Sequence, residues 1–478
     1  MAGFTSSDRV STSMVEPTPS VVLPLTRMYA EFAASMAGRT LPEAVRRVAI
    51  LGFTDALGVM LAGAREPAVA RLSDWVVEQG GAPRCWLVSR ADRTQAGQAA
   101  LVNATAAHAL DYDDFAFSNH PSAVLVPAIL AASECAGADG ARMVRAYAAG
   151  YEVWADAFLR EPDLYYDKGW HPTAVLGPLG AAVAAGVVWG LSAAQMSDAL
   201  ALAASSAGGV FENFGTMAKP WHGGRAASVG LQAAGLARAG LAASPSAIEG
   251  GRGLLKALSP AGRVDLSTAM PGGWRSEKLG LNIKKYPVVG AAQRGIDAAL
   301  ALRAAQAPDP DCITSIVAHV SVRHAAVMPY ALPQDSLQAK FSLPFAVSAA
   351  LVHGAVGFRE LRDEVVLSPV MQRLMACTRL VTTEAFEPGW RDAAPFDQIF
   401  VHLSDGRVLE SPRVRRAAGH ADTPLSPSAI LDKFLGCTRH AGVADDRALA
   451  LYEQIQKLDQ VDHVGALCLP VVGPARAA

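Results

Sequence analysis

The densest group of ionisable side chains in this sequence lies in residues 108–122, within a segment otherwise rich in alanine. It opens on a histidine, carries three aspartates within four residues, and has a second histidine near its end. Carboxylates this close repel one another, so the run must sit in water, bind a cation, or keep a proton on one carboxyl. A solvated loop between two helices is the alternative. The residues concerned are His108, Asp111, Asp113, Asp114 and His120.

Two further polar clusters contain histidine. His171 precedes a proline at the start of a long uncharged segment, where a structural hydrogen-bonding role is the alternative to catalysis. Lys219, His222 and Arg225 surround Pro220, which suits the first position of a helix. The free amides of a helix N-terminus, and two glycines that let a ligand approach the backbone, would make this cluster a carboxylate or phosphate receptor. An ordinary exposed helix start is the alternative.

Lys284 and Lys285 form a fourth cluster, which alone could be a solvated charge pair. Together the clusters supply carboxylates, histidines and cations, without H-E-x-x-H, C-x-x-C, P-loop or G-x-G-x-x-G spacing. This inventory predicts an acid/base enzyme for a small polyanion. Two alternatives stay open: a metal site built from His108, Asp111 and His120, and the D-x-D-D acid of class II terpene cyclases starting at Asp111. The terpene cyclase needs aromatic walls, and only 7% of the chain is aromatic.

Length and composition bound the protein class. The 478 residues are 51% hydrophobic with a net charge of -2, which predicts two or more folded domains and gives no electrostatic reason for nucleic acid or a membrane as partner. Six cysteines without a C-x-x-C pair indicate reduced thiols of a cytoplasmic protein. Residues 1–22, rich in Ser, Thr and Pro, are predicted to be a flexible N-terminal tail without a signal peptide.

Helical patterns dominate residues 23–266. Thr40 and Ser192 each begin a capping-box pattern, and Ser244 before a proline predicts another helix start. Residues 172–196 carry no charge and could span a membrane by length, but glycine and alanine dominate them, so we predict a buried core helix. Small residues throughout this half favour close helix packing.

The pattern changes near residue 273. The segments SIVAHVSVRHAAVM and FDQIFVHLSDGRVLESP alternate with the period of a strand, and Asp405-Gly406 predicts a hairpin turn within the second. Helical segments are predicted near residues 291–305 and 342–353, and helical periodicity returns towards the C-terminus. We therefore predict a mainly α fold with a large all-helical domain built from both chain ends plus an inserted smaller α+β domain. The predicted bounds are 23–272 with 413–478 for the helical domain and 273–412 for the α+β domain.

Eight stretches resemble the MmgE/PrpD family and occur in the family's order from about residue 23 to the mid-430s. They are LPEAVRRVAILGFTDALGVMLAGA, HALDYDD with HPS, GYEVWADA, KGWHPTAVLGPLGAAVAAG, GTMAKPWHGGRAASVGLQAAGLA, KKYP, AKFSLPF and KFLGC. The family includes 2-methylcitrate dehydratases of propionate metabolism, cis-aconitate decarboxylases and iminodisuccinate epimerases. The resemblance implies that the α+β domain is a lid, that the protein is a homodimer, and that catalysis uses no metal and no organic cofactor. It also places active-site positions in the cleft between the domains, at Asp111, His120, His171, Lys219 and Lys284.

The sequence departs from the family at three positions. Val289 and Gln293 stand where relatives commonly carry a Cys and a His, and Phe345 replaces a Tyr after the KFS motif. The resemblance therefore supports the proton-transfer residues more strongly than any one substrate.

Our leading hypothesis is a cofactor-independent lyase, first of all a dehydratase, acting on a small di- or tricarboxylate. His120 and His171 would be the acid and the base, and Asp111 would tune one of them. The predicted substrate-binding side chains, which would also stabilise enolate-like charge, are Lys219, His222, Arg225, Lys284 and Lys285.

Three alternatives remain: a decarboxylase, an epimerase, and a carboxylate-binding relative without activity. In each, His108, Asp113 and Asp114 are expected to hold the loop's shape through local hydrogen bonds.

Overall fold

The computed structural model describes residues 21–389 and 392–472. Nearly all of the predicted N-terminal tail, and the last six residues of the predicted helical domain, therefore lie outside the described residues. The described chain is mainly α-helical, as predicted. Its first nine helices are α1 (Leu25–Ala34), α2 (Glu43–Gly63), α3 (Pro67–Gln79), α4 (Ala96–His108), α5 (Pro121–Ala136), α6 (Gly140–Leu159), α7 (Pro172–Trp189), α8 (Ala193–Ala204) and α9 (Ala218–Arg238).

The remaining helices lie before, between and after the strands of the larger sheet. They are α10 (Leu254–Ala257), α11 (Arg275–Leu279), α12 (Gln293–Gln306), α13 (Val322–Ala326), α14 (Ser336–Ala339), α15 (Leu343–His353), α16 (Asp363–Val366), α17 (Pro369–Ala376), α18 (Pro427–His440) and α19 (Asp445–Gln456). Single 3₁₀ turns occur at Tyr166–Lys168, Phe211–Asn213, Gly290–Ala292, Pro310–Cys312, Leu458–Gln460 and Val464–Ala466.

The strands form two sheets. The strands are β1 (Cys85–Leu87), β2 (Arg90–Thr94), β3 (Ile313–Ser321), β4 (Thr378–Thr383), β5 (Gln398–Leu403) and β6 (Val408–Glu410). β1 and β2 make an antiparallel hairpin, and the other four have the order β4-β3-β5-β6. In the larger sheet only β3 and β4 are parallel. The β5–β6 hairpin turns at Asp405-Gly406 as predicted, with Gly406 at a φ of 85° that glycine adopts without strain.

The buried apolar side chains form two main cores. The large core combines helices α1 to α9 with α18, α19 and the residues that follow them. The small core lies around the four-stranded sheet and helices α12, α15 and α17. Both ends of the described chain thus contribute to one core, because the two helices after the sheet pack back against α2.

Helix α7 is the centre of the large core. Pro172–Trp189 is the one described helix long and apolar enough to cross a membrane by itself, and its side chains are almost all buried against other helices. Small residues permit this close packing: a Cβ on Gly230 of α9 would lie 2.5 Å from the carbonyl oxygen of Pro178, and one on Gly150 of α6 would lie 2.8 Å from that of Gly180. The burial matches the predicted core helix.

Three local features differ from the sequence analysis: one was missed and two predictions were wrong. The β1–β2 hairpin was missed because β1 has three residues and β2, Arg90–Thr94, is mostly polar. The helix α2 starts at Glu43 without the capping box expected at Thr40, because the extended backbone of Pro42 (ψ 145°) delays it. No helix begins at Ser244, where the chain makes turns before a pair of glycines. The Ser192 capping box is present with both of its hydrogen bonds.

Candidate active site

Four helix ends bring the predicted site residues together. His108 is the last residue of α4, His120 and His171 are the N-cap residues of α5 and α7, and Lys219 lies in the first turn of α9. A proline follows each N-cap histidine at the first helical position, where its missing N–H costs no hydrogen bond. α9 begins two residues earlier than predicted, so Pro220 is its third residue. The histidines and Lys219 therefore sit on rigid elements.

Asp111 is the central carboxylate of the cluster. Its Oδ1 lies 2.5 Å from Lys219 Nζ and 3.2 Å from Lys284 Nζ, and Lys284 also donates to the Asp111 carbonyl oxygen at 2.7 Å. Burial would raise the pKa of Asp111, but the two lysine charges outweigh burial and hold that pKa well below its usual range. Its φ of 48° is uncommon for a residue other than glycine, so these contacts hold a strained backbone in place.

Asp113 binds two histidines on one oxygen. Its Oδ2 lies 2.9 Å from Nδ1 of His108 and 2.9 Å from Nδ1 of His120. Burial acts against ionisation of Asp113, but its two imidazole neighbours lower its pKa well below the usual value. An ionised carboxylate only accepts hydrogen bonds, so Nδ1 of His108 carries its proton and Nε2 is left unprotonated in the neutral ring. Nδ1 of His120 lies at the same distance from that oxygen but makes no hydrogen bond among the described residues, so its contact with Asp113 is electrostatic.

The three site histidines are expected to be neutral before a ligand binds. Burial lowers the pKa of His108 to about 4 against the opposing effect of Asp113, and it also lowers the pKa of His120. Burial and then the charge of Lys219 lower the pKa of His171 well below its usual value. The His108 and His120 ring centroids are 4.4 Å apart, and those of His120 and His171 are 6.5 Å apart.

His171 and His222 face each other through their ring nitrogens. Their Nδ1 atoms are 3.2 Å apart, so one donates and the other accepts. Nε2 of His171 is buried and has no hydrogen-bond partner among the described residues. The ring of Phe214 packs edge-on against His171 at 5.0 Å between centroids. An unpartnered, buried ring nitrogen is the arrangement expected of a group that meets a ligand atom.

Lys219 and Lys284 have donor capacity to spare. Lys219 is 3% exposed and Lys284 1% exposed. Within the described residues, Lys219 donates to Asp111 alone, although an ammonium has three N–H bonds. Lys219 Nζ also lies 5.3 Å from the Phe214 ring centroid and 5.2 Å from that of Phe341, within cation–π range. Burial lowers the pKa of Lys219, and Asp111 opposes this effect.

Two predicted substrate-binding residues lie outside the cluster. The Lys285 side chain is exposed, and its Nζ lies 5.4 Å from the centroid of the Tyr286 ring. Arg225 is half-buried and donates to the carbonyl oxygen of Gly208 at 3.2 Å, and its charge is a minor cause of the lowered pKa of His222. Arg225 thus borders the site, whereas Lys285 points away from it.

The three positions that depart from the family are structural in this chain. The Gln293 side chain makes four hydrogen bonds to the backbone of residues 285–288, so it braces the loop that carries Lys284. Val289 and Phe345 belong to the small core, and Phe345 is fully buried. The differences therefore affect how the small core supports the site.

Behind the cluster, a second set of charges holds the same loop. Asp55 of α2 accepts the backbone N–H of Asp114 at 2.8 Å and pairs with Lys433 of α18 at 2.6 Å. Lys433 also donates to the carbonyl oxygen of Tyr112 at 2.8 Å. Burial and then the charge of Asp55 raise the pKa of Asp114 well above its usual value. A carboxyl that keeps its proton was one of the three possibilities that the sequence allowed for this run of aspartates.

Some site residues were missed or assigned another role. Asp113 was expected only to shape the loop, yet it contacts His120 directly. Its five-residue spacing from His108, across the end of a helix, is the signal that could have indicated the pair. Phe214 and Phe341 were not singled out, since aromatic residues carry no spacing signal when they come from distant segments.

A metal ion fits this cluster poorly. His108, Asp111, Asp113 and His120 offer ligand atoms that all lie within 4.8 Å of one another. Yet two ammonium groups already contact the Asp111 oxygen, and they would repel a cation placed there. The donor set suits an anion beside the lysines better than a metal between the carboxylates.

Buried ammonium groups beside imidazoles that can carry protons define an acid/base site for an anionic ligand. Family models match most of the chain: the MmgE/PrpD N-terminal domain at residues 27–267 and the MmgE/PrpD C-terminal domain at residues 286–458. The chain belongs to the MmgE/PrpD family.

Three relatives of this chain are cis-aconitate decarboxylases. The chain is 28% identical over 391 residues to the cis-aconitate decarboxylase of Mus musculus, covering 79% of this chain and 78% of that protein. It is 27% identical to the Homo sapiens cis-aconitate decarboxylase, covering 79% of each. The Aspergillus terreus cis-aconitate decarboxylase is 24% identical over 476 residues, covering 93% of this chain and 95% of that protein.

Proposed function

We propose that this protein is a cofactor-independent lyase that acts on a small di- or tricarboxylate by proton transfer. The observation that carries the proposal is the buried contact of Lys219 and Lys284 with Asp111, beside the imidazoles of His120 and His171, whose pKa values burial lowers. Family membership and the decarboxylase activity of the relatives support the same class of reaction.

Substrate carboxylates would bind at the two lysines. The N–H bonds of Lys219 that have no acceptor among the described residues can donate to a carboxylate, in a charge-assisted hydrogen bond stronger than a neutral one. The charges of Asp111 and Asp113 balance those of the lysines, so an arriving polycarboxylate makes the site net negative. That negative charge raises the pKa values of His120 and His171, which turns neutral rings into proton carriers.

Decarboxylation is the reaction we propose first, because the relatives are named cis-aconitate decarboxylases. In such a reaction the bond to one carboxylate breaks and carbon dioxide leaves. The electron pair moves onto the carbon frame next to a remaining carboxylate, and a protonated imidazole delivers a proton there. Lys219 and Lys284 would stabilise the enolate-like charge while it exists.

Dehydration of a 2-methylcitrate-like substrate is the second candidate. It needs one group that removes a proton and another that protonates the leaving hydroxyl. His120 and His171, 6.5 Å apart between ring centroids, could divide these two roles across a small substrate. Epimerisation would use the same proton removal without a leaving group.

A product panel separates these candidates. The protein would be incubated with cis-aconitate, 2-methylcitrate and amino dicarboxylates, and the products identified by mass spectrometry. We expect carbon dioxide release from an unsaturated tricarboxylate; loss of water or inversion alone would select the other reactions. Tight binding of these acids with no turnover would contradict a lyase and support a binding protein.

One variant ties the activity to the cluster. His171→Asn should lower kcat by about 10²–10⁴-fold, the usual contribution of a general acid or base. Its Tm should stay near that of the wild type, because Asn is favoured at a helix N-cap. Substantial residual kcat in a folded His171→Asn protein would remove His171 from the mechanism.

We also propose that residues 273–412 act as a lid. The cluster is almost closed, since Asp111 is 3% exposed and His171 is fully buried, so a substrate needs an opening movement to enter. Lys340, the lysine of the family's KFS motif, donates to the carbonyl oxygen of Ala109 and pairs with Glu66 at 3.3 Å, so contacts from the small core close one side. A homodimer in the cytoplasm remains our proposal for the assembly.

A further inference from the structure

Two thiols face each other at the opposite end of α5 from His120. Cys85 is the first residue of β1, and Cys135 lies in the last turn of α5. Their Sγ atoms are 3.6 Å apart, although 50 residues separate them in sequence. A disulfide needs an S–S bond of about 2.05 Å, so a movement of about 1.5 Å joins them.

The surroundings already fix the two elements to each other. The Glu134 carboxylate, one residue before Cys135, accepts the backbone N–H of Trp86 at 2.9 Å and pairs with Arg93 of β2 at 2.6 Å. The Cys85 thiol is fully buried and lies 3.4 Å from the carbonyl oxygen of Ala131. The hairpin and the helix end are therefore held in register before any covalent bond forms.

The two thiols differ in reactivity. Cys135 is half-buried, so a small oxidant in solution reaches it before the fully buried Cys85. The contact with Cys85, and then the charges of Arg84 and Arg238, outweigh burial and lower the pKa of Cys135 to about 7. The same contact and burial raise the pKa of Cys85. A half-exposed thiolate beside a resolving thiol is the arrangement of redox-sensitive cysteines.

We propose that Cys135 and Cys85 form a reversible disulfide, with hydrogen peroxide as oxidant and Cys135 as the attacking thiolate. Cys135 attacks one peroxide oxygen, the O–O bond breaks, hydroxide leaves, and the sulfur becomes a sulfenic acid. Cys85 sulfur then displaces the sulfenic hydroxyl, the S–S bond forms, and the Cys85 proton leaves with that hydroxyl as water. The two thiols lose two electrons and peroxide gains them; a dithiol reductant reverses the change.

This modification site is independent of the proposed function. Sixteen residues of α5 span about 24 Å, so the disulfide lies far from His120. Two measurements report on it: detection of the covalent link between the two cysteines, and Tm. Oxidation should raise Tm, because the cross-link restricts the unfolded chain.

The test uses the full chain with Cys312→Ser and Cys468→Ser, because these two exposed thiols would react with any oxidant. After treatment with hydrogen peroxide, non-reducing digestion and mass spectrometry should find the Cys85 and Cys135 peptides linked. Dithiothreitol should release both. Accumulation of sulfinic acid on Cys135 with Cys85 still a free thiol would overturn the proposal.

Single variants test the order of attack. In Cys85→Ser, Cys135 should be trapped as a sulfenic acid by dimedone, and in Cys135→Ser, Cys85 should stay unmodified. If Cys85 in Cys135→Ser reacted with peroxide as readily as Cys135 does in Cys85→Ser, Cys135 would not be the attacking thiol. The linked peptides are measured first, in the protein that keeps both thiols. That result therefore decides the proposal even if a single variant fails to fold.

Discussion

Asp113 and Asp114 are neighbours in the chain, yet they face two different charge environments. Asp113 lies with His108 and His120 in a front set of charges, and its pKa is lowered far below the usual value. Asp114 lies in a back set beside Asp55, and its pKa is raised. Both carboxyls are buried to the same degree. The difference comes from the neighbours that distant segments supply.

The front set combines Asp111 and Asp113 with cations and imidazoles, whereas Asp114 in the back set meets another carboxylate. Burial alone favours the neutral form of each acid. In front, the ammonium groups at 2.5 and 3.2 Å from Asp111 overcome burial. Behind, Lys433 is the nearby cation among the described residues, and it pairs with Asp55; the raised pKa of Asp114 favours its protonated form. We infer that the front set handles protons and substrate charge and that the back set positions the loop.

Among the lysines and aspartates of the two sets, the largest effect is expected at Lys284. Lys284→Met should lower kcat/KM by about 10²–10³-fold, the usual loss when a donor to developing negative charge is removed. The matched control is Lys285→Met, which changes the adjacent but exposed lysine and should leave kcat/KM within about twofold, as most surface substitutions do. Steady-state kinetics on the substrate found in the product panel would measure both. Equal losses in the two variants would contradict the role assigned to Lys284.

Asp113→Asn should have the next largest effect, about 10–100-fold in kcat, which is the size of loss known for partners that orient metal-bound histidines. The Asp113 charge raises the pKa of His120, so its removal lowers that pKa. If His120 is the base, activity requires the neutral ring, and the acid limb of the pH profile of kcat/KM should move to lower pH. A profile that keeps its limbs while kcat falls would indicate a merely structural role.

Lys433→Met should affect stability more than catalysis. It leaves the Asp55 carboxylate buried without its cation, and breaking such a buried pair typically costs about 3–5 kcal/mol. Chemical denaturation would measure the loss, and the double variant Asp55→Asn with Lys433→Met should recover part of it. We expect kcat to stay within about threefold. A large kcat loss at unchanged stability would move Lys433 into the front set.

The sequence predicted the long helices better than the short elements. Helices such as α2 and α7 have extended apolar segments that end at clear boundaries, and the mainly α fold follows from them. The β1–β2 hairpin has too few residues to show a period, and tertiary contacts such as that of Trp86 with Glu134 hold it. Start signals gave mixed results, since Ser192 caps a helix and Thr40 does not.

Within the candidate site, the sequence named the residues but not their division into two sets. Lys219 and Lys284, which determine the charge on Asp111, lie 108 and 173 residues away from it. The positive φ of Asp111 turns the chain there, and no spacing rule predicts which of the following aspartates then meets a cation. Only the folded chain separates Asp113 from Asp114.

The smallest effect on catalysis is expected at Asp114. An acid whose pKa is raised by folding binds more protons folded than unfolded, so its stabilising effect is present at low pH and is lost as pH rises above the unfolded value. Asn cannot ionise, so the Asp114→Asn variant does not lose this stability as pH rises. The variant should therefore keep kcat within about twofold, as expected for a residue outside the catalytic set. Its Tm should gain more over the wild type at pH 8 than at pH 5, measured by calorimetry. A variant with the pH dependence of the wild type, or with kcat reduced as far as in Asp113→Asn, would show that Asp114 is ionised and belongs with the front set.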